Sequence, residues 1–399
     1  MKEEKYNKIA LILVVLIGFF ILVHSPFVAS IYVSVLIRVP LFLFIIFFSL
    51  FTVVYKRYFV RFYLPIILFY IFSAVYYISI GSNLSDVVYS LLYFFLAIVL
   101  LVSVKRNTSL KQLLINFYFI LVLVLSTLSI ISFLAFNFEL IPFELKSVGE
   151  GLDVYVYYHN YFLGYINPKL FESGVIGRVC GFMFEPSYQG WFLSTNFFLV
   201  SKFLEKKWYL FIFQLIVLLG ALASVSTMSW VVFVIVFASM LGFKIMSILG
   251  LKEKSANILY GLMLIAGIFA MFTVVNQDKL LEMLGPSSSE DRTERADTSF
   301  LYLATASPKE LVLGRGPGFI GKNSDKGESN PIIKSLVENG IVSTIVVLIF
   351  VVYCTYRSKY YMIANLLWLN SVVVLFTPLF IINVLVCRWM DESTEENLV

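Results

Sequence analysis

Long apolar runs, separated by short polar connections, repeat from one end of the chain to the other. They lie near residues 9–26, 37–55, 61–81, 87–104, 113–137, 188–201, 208–224, 228–248, 257–275, 332–353 and 362–386. Each is close to the roughly 17–25 residues that cross a hydrocarbon core as a helix. The runs are continuous, without the alternation of barrel strands. The pattern predicts an all-α polytopic membrane bundle of about eleven spans, or about twelve if the last run, which contains Pro378, is a broken helix or a tight re-entrant pair. The side on which the chain ends is open on this reading. A single domain, 1–399, is expected, with two longer polar stretches, about 138–187 and 276–331, as external loops.

Basic residues orient the bundle. "MKEEKYNK", "YKRYFVR", "KRNTSLK", "KFLEKK", "KIMSILGLKEK" and "YRSK" occupy alternate connections, whereas "SIGSNLSD" and "SVST" carry no Lys or Arg. Positively charged connections stay in the cytoplasm, so the N-terminus is expected inside and both long loops outside a plasma (inner) membrane. Composition agrees: hydrophobic residues are 60%, charged residues only 14%, far from a soluble average. The net charge of +5 is divided among short loops and reads as a topology signal, not as affinity for nucleic acid. No small-residue cleavage site follows "FFILVHSPFV", so the first run is expected to be an anchor. Cys180, Cys354 and Cys387 are too widely spaced for a disulfide framework, and with His24 and His159 the only histidines, a zinc or haem site is not expected.

Polar residues at membrane depth or in long external loops carry the chemistry. Four places stand out. "RVCGFMFEPSYQGWF" puts Arg178 and Glu185 at the threshold of a span. "SSSEDRTERADTSFLYLATASP" has an amphipathic rhythm in which Arg292, Arg295, Ser299 and Leu303 share one stripe, and it predicts a helix lying on the outer membrane surface. "LVLGRGPGFIG" surrounds Arg315 with Gly314, Gly316, Gly318 and Gly321, and such a segment lets backbone amides approach an anion. It lacks the Lys-Ser/Thr of a nucleotide loop. In "SNPIIKSLVENGIV", Lys334 and Glu338 sit one helical turn apart at the mouth of a span. Each place has a plainer reading beside it: Arg292 solvated or on a lipid headgroup, the glycines as turns, Lys334 with Glu338 as a structural pair. Tyr155, Tyr157 and Tyr158 read as interfacial anchors, or as a platform for sugars.

Taken in order, these motifs resemble the O-antigen polymerase and ligase superfamily, the Wzy-type membrane glycosyltransferases. The resemblance rests on Arg178, Gly181, Phe182 or Phe184, Glu185, Pro186 and Ser187 leading into a span, then on the serine-rich entry Ser224–Trp230. It continues with Arg295 before the pair Gly314 and Gly316, and ends with Ser329, Asn330, Leu336, Glu338 and Gly340. It covers roughly 170–345 in detail. Ser329 stands where ligases of the superfamily have a histidine, which favours a polymerase over a ligase.

The resemblance implies a C-type glycosyltransferase-like fold and an enzyme that joins polyprenyl-pyrophosphate-linked repeat units into O-antigen or a related surface polysaccharide. Its donor and acceptor are lipid-linked glycans. Membrane lipids and a chain-length regulator protein are the other implied partners, and no cofactor is needed because the pyrophosphate linkage carries the energy. Charge builds on phosphate oxygens as the anomeric bond breaks, and guanidinium forks suit it; one well-placed donor is worth about 3 kcal/mol. On this expectation Arg178 and Arg295 act with Glu185, or secondarily Glu338, as the carboxylate that takes a hydroxyl proton. Arg292, Arg315, Gly314, Gly316, Asn330 and Lys334 hold substrate. The carboxylates could instead hold arginines in place. A ligase, a lipid-linked oligosaccharide transporter and a non-catalytic scaffold are the alternatives.

Overall fold

The computed structural model of the chain describes residues 12, 15–17, 40–41, 43–46, 59–105, 108–148, 155–171, 174–183, 185–204, 207–248, 298–324, 330–369 and 377–396. The expected spans 9–26, 37–55 and 257–275 fall wholly or mostly outside these residues.

The described chain is mostly helical and membrane-embedded in character. In order, it forms α1 (Phe59–Ser79), α2 (Leu84–Lys105), α3 (Thr108–Asn137), four strands, α4 (Pro186–Leu199), α5 (Lys207–Ala223), α6 (Thr227–Ile248), the short α7 (Pro308–Leu313) and α8 (Phe319–Asn323), α9 (Pro331–Thr355), α10 (Lys359–Trp368) and α11 (Pro378–Glu396). Among the described residues four helical stretches are long and apolar enough to cross a membrane: Leu84–Val102, Leu110–Asn137, Thr227–Ile245 and Pro331–Thr355. Ile66–Ser79 and Lys207–Ala223 are shorter apolar helices.

Helix starts follow local chemistry. Proline occupies the first helical position after Glu185, Ser307 and Asn330, where its missing N–H costs nothing. Asn330 accepts from the amides of Ile332 and Ile333, at 3.0 and 3.2 Å. Small residues set the crossings: a Cβ on Gly220 would stand 2.9 Å from the Ser126 backbone, and one on Gly190 would stand 2.2 Å from Ser229 Oγ. Ser229 belongs to the serine-rich entry 224–230, and that entry packs against α4.

The last apolar run is two helices. Tyr361 Oη donates to Asn383 O at 2.8 Å, while Trp191 meets both Asn365, at 3.3 Å, and the Phe380 ring, so α10 and α11 run antiparallel. At the far end of α11, Asp391 pairs with Lys202, Arg388 Nε donates to Glu392 Oε1 at 3.0 Å, and the Arg388 guanidinium lies over the Tyr353 ring. The far end of α11 thus lies on the same side of the bundle as Lys202 and the α9–α10 turn.

The loop 138–187 departs from the all-α expectation. It folds into an antiparallel sheet, β1 (Glu144–Val148), β2 (Tyr155–Asn160), β3 (Gly164–Phe171) and β4 (Gly174–Gly181), in the order β1-β2-β3-β4. The four strands satisfy their backbone groups against one another instead of against water. Tyr157 and Tyr165 stack at 5.0 Å and, with Cys180, form a small buried core. Tyr158 packs on Phe136 at the end of α3. Tyr157 is therefore neither an interfacial anchor nor a sugar platform, because its ring is fully buried in the sheet. The sheet is tied to α3 by the Asn137 side chain, which bonds the amide and carbonyl of Gly177 at 2.9 and 3.4 Å.

Candidate functional site

The predicted residues fall into two groups with different supports. In the first, β4 carries Arg178 opposite Asn167 on β3, and the register puts Arg178 Nη2 2.5 Å from Asn167 Oδ1. The guanidinium is half-buried, and its Nε is buried with no hydrogen-bond partner. Burial holds its pKa below the usual arginine value, opposed by the nearby Cys180, Glu185 and Tyr157. The same burial pushes the Cys180 thiol up. The turn to α4 goes through Gly181, at φ 58°, which lies against the side chain of Gln189; Gln189 Nε2 in turn donates to Ser129 Oγ at 2.7 Å. Glu185 is the N-cap residue of α4, and Ser187 Oγ donates to its Oε2 at 2.9 Å. Its side chain is exposed.

The second group centres on a break in α9. Gly340 has φ 75° and ψ 172°, so the carbonyls of Val337 and Glu338 lose their helical partners. The glycine-rich loop supplies replacements: Arg315 N donates to Val337 O at 2.8 Å and Gly316 N to Glu338 O at 2.9 Å. Gly314 N bonds Glu310 O at 2.7 Å. The two backbones cross in contact, since a Cβ on Gly314 would lie 2.2 Å from Glu338 O and one on Gly340 2.3 Å from Val312 O. From α1, Tyr77 Oη donates to Leu313 O at 2.6 Å and lies 3.3 Å from Asn339 O. A small cleft lined by Tyr70, Tyr77, Val87, Asn339 and Ser343 opens beside this junction.

This geometry corrects the anion-cradle expectation for Gly314 and Gly316. Their amides, and that of Arg315, are taken by the chain's own carbonyls. Glu338 is buried and accepts from Ile320 N at 3.2 Å, so the loop holds a carboxylate of its own helix, with Lys334 near enough to act on it electrostatically. Arg315 is engaged too: Nη2 donates to Thr305 Oγ1 at 3.2 Å, Nε lies 3.7 Å from Glu310 Oε1, and the guanidinium stands over Phe319 and Tyr302. Glu310 closes a capping box with Ser307, and the Ser307 amide is the largest cause holding its carboxyl below the usual range. Asn330 serves as a helix cap.

Arg292 and Arg295 lie outside the described residues, as does Ser329. Of the amphipathic stripe, Ser299 and Leu303 fall in a helical stretch at 298–304, with Ser299 buried. Asn167, Tyr77 and Glu310 were not singled out from the sequence. The "SPKE" capping box was the one signal that could have found Glu310. Among the described residues no group of three or more His, Cys, Asp or Glu could hold a metal ion.

No protein-family model, no curated protein and no solved structure matches this chain.

Proposed function

We propose that this protein is a membrane glycosyltransferase that lengthens a surface polysaccharide by joining polyprenyl-pyrophosphate-linked repeat units on the external side of the plasma membrane. The observation that carries the reading is Arg178: a half-buried guanidinium fixed on one edge by Asn167, with Nε unpaired, beside Glu185 at the start of a helix. A buried donor without a partner costs about 1–3 kcal/mol, a cost that a bound anion would remove.

In the reaction the bond between the donor's anomeric carbon and the pyrophosphate oxygen breaks, and a bond from that carbon to an acceptor sugar oxygen forms. The electron pair leaves with the polyprenyl pyrophosphate. Arg178 donates to the departing phosphate oxygens, where charge develops. The acceptor hydroxyl gives its proton to Glu185, which is exposed and can reach a glycan in the aqueous layer. Arg292 and Arg295, which lie outside the described residues, are on this proposal the further cations for the diphosphate. Glu338 organises the glycine loop instead of reacting, and Arg315, tied to Glu310, braces it.

The test is chain growth by purified protein in proteoliposomes given lipid-linked repeat units. A ladder of longer glycans supports the proposal. Transport of the lipid-linked unit without lengthening, or transfer only to a different acceptor, overturns it in favour of a transporter or a ligase.

A further inference from the structure

The tip of the β2–β3 hairpin, 160–164, turns back toward the apolar part of α3. Ser132 Oγ donates to Leu163 O at 2.9 Å, a little over one turn before the end of that helix at Asn137. From Lys111, in the first turns of α3, to Ser132 the helix rises roughly 32 Å, about the thickness of a hydrocarbon core. With Lys111 at one boundary of the core, the hairpin tip lies at the other.

Two features of the tip suit lipid. Its exposed side chains are apolar: Phe162 is 83% exposed and Tyr161 52%, level with the exposed Ile131 and Leu134 of α3. Phe138, Leu140 and Ile141, where α3 turns into the loop, are exposed as well, and Asn160 Nδ2 ties the tip to that turn through Pro142 O at 3.3 Å. Three of its backbone groups are also satisfied from within. Phe162 N bonds Asn160 Oδ1 at 3.0 Å, Leu163 N bonds Asn160 O at 3.2 Å, and Leu163 O takes the Ser132 hydroxyl. A loop that enters the bilayer edge needs this, because lipid offers no hydrogen bonds.

We infer that Tyr161 and Phe162, with Phe138, Leu140 and Ile141, form an interfacial anchor seated among the lipids of the adjoining leaflet. The apolar surface of α3 continues into the patch, so its occupant is the bilayer. The anchor fixes the height of the sheet. Gly181 crosses Gly164 in contact at the tip, and Arg178, three strand residues earlier, stands about 10 Å farther out, within the headgroup layer.

The three native cysteines are buried, so a cysteine placed at an exposed position can be labelled selectively. Phe162→Cys and, as an external control, Lys322→Cys are labelled with bimane and reconstituted into phosphatidylcholine vesicles. Brominated phosphatidylcholine is expected to quench the probe at 162 severalfold more than the probe at 322, and aqueous iodide severalfold less. Iodide quenching at 162 equal to that at 322 would overturn the anchor. Shielding of the probe at 162 from both quenchers would also overturn it, since protein would then cover the patch.

Discussion

The crossing of Gly314 and Gly340 makes a sharp prediction about what a single methyl group does. Both residues lie at positive φ with ψ near 170°, a region essentially reserved for glycine, where another residue costs about 1–3 kcal/mol. In Gly314→Ala the new Cβ would stand 2.2 Å from Glu338 O, an obstacle of backbone that no rotamer change can move. Opening that contact adds overpacking strain of about 1–3 kcal/mol. The sum, roughly 2–6 kcal/mol, is a large part of a typical folding free energy of about 5–15 kcal/mol. Unfolding can be followed with a thiol-reactive fluorogenic dye in detergent, because Cys180, Cys354 and Cys387 are buried until the protein opens. Two controls separate the causes. Gly81 has φ 81° and open space around it, so Gly81→Ala carries conformational strain alone; Gly321, in α8, has open space and no positive φ, so Gly321→Ala is near neutral. The expected order of destabilisation is Gly314→Ala and Gly340→Ala, well above Gly81→Ala, above Gly321→Ala. The double variant Gly314→Ala/Gly340→Ala loses less than the sum, since both methyl groups wedge the same crossing. Gly314→Ala unfolding at the wild-type temperature would refute the account of the helix break.

Two further predictions concern the same junction. Tyr77→Phe removes the hydroxyl that serves Leu313 O and should cost about 1–3 kcal/mol in the dye assay, because a buried carbonyl loses its partner; unchanged unfolding would mean that the junction holds without it. Glu310 has a depressed folded pKa, so its contribution is present above the ordinary carboxylate value and is lost as pH falls through the folded one. The side chain is partly exposed, which limits the effect to about 0.5–1 kcal/mol. Amide protection across 307–314, corrected for intrinsic exchange, should therefore drop about two- to fivefold between pH 7 and pH 3; Glu310→Gln should abolish that drop.

What the sequence made legible follows from the range of the interactions involved. Span positions depend on local composition, and the observed helices at 84–105, 108–137, 227–248 and 331–355 lie within a few residues of the apolar runs. Pro331 and Pro186 marked helix starts for an equally local reason. The sheet was hidden in a segment read as a polar loop, although the alternation in "YVYYHN" and "GVIGRVCG" was there, because pairing is decided by partners far along the chain. Arg178 was recognisable as a charge at a membrane threshold, but Asn167 has meaning only through the β3–β4 register. The glycine loop was recognisable as backbone prepared for close approach. Its partner, a broken turn of α9, could not be read from composition.

The decisive measurement is glycan chain growth by Arg178→Ala beside the wild type, in proteoliposomes with lipid-linked repeat units, with dye-monitored unfolding as a control for folding. If the Arg178 guanidinium serves the departing pyrophosphate, elongation falls on the order of a hundredfold or more while the protein remains folded. Arg178→Lys, which keeps charge but loses the fork, recovers only part of the rate. Wild-type ladders from folded Arg178→Ala would contradict the account.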